Sequence, residues 1–352
     1  MPRAAHIRPN SGTMGNNFPH ERLQQREPGM LVYIAIVILA LAALVWSADR
    51  FVLAASRTAR TMGLPPLLVG LTVVAMGTSA PELLVSATAT VQGRPGIAIG
   101  NALGSNIANI ALILGLTALI APVAVYSRLL RREFPALILT TGLAILLMAN
   151  NQLTRLDGLI LLAAFIILLT WLAWLARQGT RHDPLVSGHL PPRSPPRPLW
   201  PDLLWLIASL LVLLLSAQLL VGGAASLARE LGVSETVIGL SMVAAGTSLP
   251  ELATCVTATL RRQFDIAIGN ILGSNLFNIL AVLMLPALLA PGPLPDGILV
   301  RDLPVMAGLT VLLYLMCRGW PSPYTITRRE GLVLLGIFAL YQSWLFVLGN
   351  GG

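Results

Sequence analysis

Two glutamates, Glu82 and Glu251, stand in otherwise apolar stretches, and each closes the same short sequence, Gly-Thr-Ser-x-Pro-Glu. A carboxylate at membrane depth is expensive and is a functional candidate by default. Two of them brought together repel, and one takes up a proton unless a cation lies between them. Pro81 donates no backbone hydrogen bond and crowds the carbonyl of Gly77, so the helix is expected to loosen there and free carbonyls such as those of Ala75 and Thr78. Broken backbone at that depth is tolerated only where it lines a cavity. Ala75, Thr78, Ser79 and Glu82 follow the i, i+3, i+4, i+7 spacing of one helical face, and Ala244, Thr247, Ser248 and Glu251 repeat it. In the next apolar stretch Ser105 and Asn109 lie four apart, as do Ser274 and Asn278. The donors are carboxylate, carbonyl, hydroxyl and amide oxygens. Such hard oxygens suit Ca2+ and Na+ rather than zinc or copper.

Other residues in these stretches read more plainly as structure. Gly100 and Gly104 have the spacing of a close helix contact. Serine and threonine in apolar helices often bond back to their own backbone. Asn101 and Asn270 suit either an ion ligand or a cap for a loosened helix start. Asp49 has an uncharged counterpart, Gln218, and an adjacent Arg50, which favours a structural or interfacial role. Cys255 faces Ser86 in the repeat and reads as packing. The two cysteines, Cys255 and Cys317, lie in apolar segments and imply no disulfide framework. His6, His20, His182 and His189 all fall outside the apolar stretches, which argues against an intramembrane enzyme built on a buried histidine.

The elements that must carry these residues follow from composition. Of 352 residues, 55% are hydrophobic and only 11% charged, under half the share of a soluble domain. Mean hydropathy is +0.78. A bilayer core needs about 20 apolar residues per helix. Ten spans are expected, at about 31–54, 63–92, 96–121, 133–150, 157–176, 201–228, 233–260, 265–290, 302–317 and 331–349. The chain divides into a polar tail (1–30), a first five-helix repeat (31–177), a connecting loop (178–200) and a second five-helix repeat (201–352). The repeat is legible directly: residues 70–110 and 239–279 share 24 identities in 41 ungapped positions. A half with an odd number of spans enters the membrane opposite to its twin, so the fold class is an all-α polytopic membrane protein of two inverted-topology repeats, an architecture common among secondary transporters.

Net charge is +8, and every one of the 23 basic residues is Arg. They are scattered between apolar runs, which excludes a nucleic-acid surface and implies a lipid bilayer instead. The odd-numbered loops hold 14 Arg, against Arg94, Arg155, Arg229 and Arg301 in the even-numbered ones. The first set is expected in the cytoplasm, with both termini outside. The four tail arginines oppose this, a conflict that a start at Met30 would remove. No cofactor and no protein partner are expected.

The duplicated Gly-Thr-Ser-x-Pro-Glu and Gly-Asn-x-x-Gly-Ser-Asn motifs resemble the α-repeats of the calcium/cation antiporter superfamily, in its short prokaryotic sodium/calcium exchanger form, over about residues 31–349. The resemblance implies exchange of Na+ for Ca2+ by alternating access. It implies Ca2+ held by Glu82, Glu251 and the carbonyls of Thr78 and Thr247. Na+ would use the same glutamates with Ala75, Ser79, Ser105, Ala244, Ser248 and Ser274, and Asn109 and Asn278 would face the site. It also makes the first and sixth spans candidates to slide against the rest. One position departs from the pattern: such exchangers commonly carry Asp where this chain has Asn278. The proton-coupled branch commonly has Glu soon after Gly-Asn, where this chain has Leu103-Gly104 and Leu272-Gly273. Charge arithmetic points the same way. Two carboxylates are neutralised by one Ca2+ or two Na+, so the two loads exclude each other. The competing expectations are a proton-coupled exchanger of Ca2+ or another divalent cation on the same scaffold, and a cation channel.

Overall fold

The computed structural model describes residues 30–125, 129–178, 198–231, 244–318 and 324–349. Helix α1 spans Met30–Met62 and runs past the expected 31–54. After residue 54, Ala55, Arg57, Ala59, Arg60 and Met62 favour helix. The helix ends where Gly63 turns to φ +68 and the amides of Gly63 and Leu64 reach back to Arg60 and Ala59. The second apolar stretch is α2 (Pro66–Val69), a π-helical turn (Gly70–Val74), α3 (Ala75–Thr78) and α4 (Ala80–Val91). It bends by 44° at Ser79, inside the segment where the proline was expected to break it.

The third stretch is α5 (Pro95–Ile107), a π-helical segment (Ala108–Leu114) and α6 (Gly115–Ile120). Then come strand β1 (Val123–Ala124), α7 (Leu129–Met148), β2 (Gln152–Leu153) and α8 (Arg155–Gln178). In the second half, α9 (Trp200–Glu230) precedes α10 (Ala244–Thr247) and α11 (Leu249–Leu260). Next are α12 (Phe264–Phe277), a π-helical turn (Asn278–Val282) and α13 (Met284–Leu289). Strand β3 (Gly292–Pro293), a π-helical turn (Ile298–Asp302), α14 (Leu303–Arg318), β4 (Thr325–Ile326) and α15 (Arg328–Gly349) complete the chain.

The fold is thus a helical membrane fold. Among the described residues six helices are long and apolar enough to cross a bilayer, and the bent pair Pro66–Thr78 with Ala80–Val91 makes a seventh. Of the other expected spans, 133–150 appears as the short apolar helix Glu133–Met148, and 233–260 is described only from residue 244. The tail 1–29, most of the 178–200 loop and the twin of Gly70–Val74 at 239–243 lie outside the described residues. Leu39, Leu139, Leu146, Ile167 and Leu340 are more than 60% exposed, as lipid-facing side chains must be. The spans Pro95–Ile120 and Phe264–Leu289 are the most buried and form the centre, while α1 and α9 pack on one another at its side.

Two short antiparallel ladders tie the halves together: β1 pairs with β4, and β2 with β3. Four acidic residues near the ends of these helices are buried. Asp157 accepts from the amide (2.7 Å) and hydroxyl (2.6 Å) of Thr154, closing a capping box at the start of α8. Glu330 does the same for Thr327 at the start of α15. Asp302 takes Arg301 bidentately and also accepts from Tyr341 Oη at 2.9 Å. Glu133 is 7% exposed. Thr154→Ala removes one half of the capping box and is expected to cost about 1 kcal/mol. Thermal unfolding of the purified protein should show a Tm lower by a few degrees with transport intact.

Candidate functional site

Glu82 and Glu251 sit in the first turns of α4 and α11, directly after matching breaks. Ser79 has φ −82, ψ 9, and Ser248 has φ −90, ψ 5. The expectation of a free Ala75 carbonyl is corrected. That carbonyl accepts from the Ser79 amide at 3.0 Å and from Thr78 Oγ1 at 3.3 Å. The amide a proline removes at position 81 is the partner of Gly77, four residues back, so the Ser79 amide stays available to Ala75.

Glu82 and Glu251 are each 1% exposed. Their partners come crosswise. Ser79 Oγ donates to Glu251 Oε1 at 2.9 Å, and Ser248 Oγ donates to Glu82 Oε1 at 3.4 Å. Thr78 is buried, and Thr78 and Thr247 end the helical turns that precede those two serines. Ser274 Oγ stands 2.9 Å from Ser79 Oγ, and Ser105 is buried on α5. Of Ala244, only its place in the helical turn preceding Ser248 is described.

Asn109 and Asn278 both fall in π-helical segments, a local device often found at functional sites. Their surroundings differ. Asn109 Nδ2 donates to Asn275 Oδ1 at 3.2 Å, while both amide atoms of the fully buried Asn278 lack a hydrogen-bond partner among the described residues. Glu82 Oε2 and Glu251 Oε2 lack one as well. Buried polar atoms are almost always paired. The carboxylate oxygens left unpaired are groups that water or a cation would satisfy.

Asn101 and Asn270 join helices rather than capping a helix start. Asn101 Nδ2 donates to the Glu82 carbonyl (3.1 Å) and Ser86 Oγ (2.9 Å), tying α5 to α4. Asn270 Nδ2 donates to Cys255 Sγ at 3.3 Å, and its Oδ1 accepts from Thr78 Oγ1 at 3.0 Å. Cys255 therefore takes the acceptor role that Ser86 has in the other half. Asp49 binds Arg261 at the α11–α12 junction, the structural role its uncharged twin suggested. Asn106 and Asn275 received no role from sequence, although both stand in the duplicated Gly-Asn-x-x-Gly-Ser-Asn. Asn275 holds Asn109, and Asn106 Nδ2 lies 3.5 Å from Met306 Sδ.

The family profile described as sodium/calcium exchanger protein matches residues 32–174 and 202–347. CaxA of Alkalimonas amylolytica is 46% identical over 317 residues, covering 90% of this chain and 99% of that one. The inner membrane protein YrbG of Escherichia coli (strain K12) is 42% identical over 324 residues, 91% of this chain and 98% of that one. The structure of the sodium-calcium exchanger NCX_Mj soaked with zero Na+ and Ca2+ superposes with a TM-score of 0.77 at 32% identity, over 90% of this chain and 100% of that one. Two profile matches, one to each half, meet a site whose carboxylates and hydroxyls are shared between those halves. This multi-pass membrane protein belongs to the sodium/calcium exchanger family, a family of ion transporters rather than enzymes, as a prokaryotic-type member of the calcium/cation antiporter superfamily.

Proposed function

We propose that the chain exchanges Na+ for Ca2+ across the membrane by alternating access, with Glu82 and Glu251 as the shared anionic ligands. The observation that carries this reading is the crosswise pairing of Ser79 with Glu251 and Ser248 with Glu82, which leaves one oxygen of each carboxylate unpaired. In this reading Thr78 and Thr247 join them around Ca2+. Na+ occupies the positions near Ala75, Ser79, Ser105, Asn109, Ala244, Ser248, Ser274 and Asn278. The pair carries −2 when ionised, so one Ca2+ or two Na+ bring it to neutrality, and each load displaces the other.

The same reading has ten spans in two inverted repeats, 31–177 and 201–352. Support comes from the 24 identities at a constant offset and from the reciprocal ladders, in which each half lends one strand to each pair. The arginine-rich loops then face the cytoplasm and both termini face outward, in an inner membrane like that named for YrbG. Alternating access needs an element with two positions whose balance the ions shift. α1 and α9, packed together beside the centre, are suited to that sliding.

Purified protein in sealed liposomes tests the reading. Na+-loaded vesicles diluted into choline with tracer Ca2+ should take up Ca2+ only with the outward Na+ gradient, and a protonophore should leave the uptake unchanged. Uptake that ignores Na+ and follows an imposed pH gradient would overturn Na+ coupling in favour of the proton-coupled exchanger and make Asn278 the first residue to examine. Downhill Ca2+ flux with no counter-ion requirement would indicate a channel.

A further inference from the structure

We propose that the cavity between the end of α1 and the α11–α12 junction binds the phosphate of an anionic phospholipid. The cavity measures about 320 Å³ and is lined by Arg57, Arg60, Arg261, Gln263, Val52 and Leu53. Three arginines line it, and among the described residues the carboxylate paired with them, Asp49, is taken by Arg261. Arg60 donates only to Ser56 Oγ, at 3.2 Å, and Arg57 makes no hydrogen bond or ion pair among the described residues. Ser56 in turn donates to Gln263 Oε1 at 3.2 Å, which holds α1 against the start of α12 and keeps the pocket in shape. Nearby, Asp202 accepts from Thr61 rather than from an arginine.

Arginines lining one cavity with a surplus of positive charge call for an anion, and the guanidinium fork matches phosphate oxygens two at a time. The other wall points to the phosphate's source. Leu53, half-buried, continues the α1 face that carries the exposed Trp46 seven residues earlier. Arg50 lies 5.9 Å over the Trp46 ring, the kind of aromatic–basic pairing found where a span meets the headgroup layer. A ligand with a phosphate among the arginines and an apolar body along α1 is an anionic lipid, and basic pockets between spans are known binders of such headgroups. The inference concerns binding and does not depend on which ions the protein exchanges.

The test uses the detergent-solubilised full chain with phosphatidylglycerol, phosphatidylcholine and potassium phosphate as separate probes, read by thermal shift and by native mass spectrometry. Phosphatidylglycerol should raise Tm and stay bound, and phosphatidylcholine should do neither. Arg57→Gln and Arg60→Gln should each weaken phosphatidylglycerol roughly tenfold, the effect of one charge-assisted contact. Arg318→Gln, which removes a charge from the end of α14, should not. Leu53→Trp fills the cavity without touching its charge and should also abolish the shift. A shift from potassium phosphate equal to that from the lipid would make free phosphate the ligand and overturn the lipid assignment. Undiminished phosphatidylglycerol binding in the Arg57→Gln/Arg60→Gln double variant, or no response to either anion in the wild type, would overturn the site.

Discussion

Replacing Glu82 or Glu251 by Gln reduces Na+-dependent Ca2+ uptake more than 100-fold. Each glutamate supplies half of the negative charge facing the cation, and both lie in surroundings with 1% exposure. Leaving a divalent ion against one carboxylate in a buried site costs about 3 kcal/mol or more, which is over 100-fold in affinity. Gln keeps the shape and still offers a carbonyl oxygen to the Ser248 or Ser79 hydroxyl, so the fold should survive. Removing one of two mutually repelling groups should hold Tm at or above the wild-type value in ion-free buffer. Tracer uptake in liposomes and Tm measured on the same preparation separate the two effects. Full Ca2+ transport by either variant would show that the carboxylates do not hold the ion.

A single methyl group at Gly273 is expected to be nearly as damaging, for a reason of packing. A Cβ there would fall 2.5 Å from the Leu71 carbonyl oxygen, 2.6 Å from Ala75 Cβ and 2.8 Å from Leu71 Cα. Two of those three are backbone atoms and cannot swing aside. At Gly269 the obstacles are the Leu67 carbonyl at 2.7 Å and Gly70 Cα at 3.0 Å. Gly273→Ala must therefore push α12 away from the 70–78 segment. That movement stretches the Thr78–Asn270 and Ser79–Ser274 contacts, which lie on the same seam. Overpacking of this kind costs typically 1–3 kcal/mol. Uptake should fall at least tenfold, with a lower Tm. Gly142→Ala, on the exposed face of α7, should leave both unchanged or raise Tm slightly. Wild-type uptake and Tm for Gly273→Ala would mean the seam is looser than these distances.

How much of this could be read from the chain depends on whether the cause was local. The membrane character, the two candidate glutamates, the break at Gly77–Pro81 and the duplication were all legible. Transfer cost, missing amides and helical spacing are properties of neighbouring residues. Local chemistry also misled where two local effects competed. The proline suggested a free Ala75 carbonyl, yet the backbone amide of Ser79 and the Thr78 hydroxyl both reach it. Asp157 and Glu330 drew no attention in the sequence, yet both turn inward onto the threonine three residues before them. The Thr-x-x-Asp and Thr-x-x-Glu spacing was a signal that could have revealed those capping boxes.

Residue types and their repetition were enough to make an apolar chain with two carboxylates in register a membrane protein that handles hard cations. Folding had to show which hydroxyl serves which carboxylate, that Asn270 bonds Thr78 across the molecule, that Asn278 lacks a partner among the described residues where Asn109 has one, and that Gly269 and Gly273 meet backbone. The physical reason is distance along the chain. Ser79 and Glu251 are 172 residues apart, and a 2.9 Å bond between them depends on how two helices cross, which no periodicity or propensity encodes.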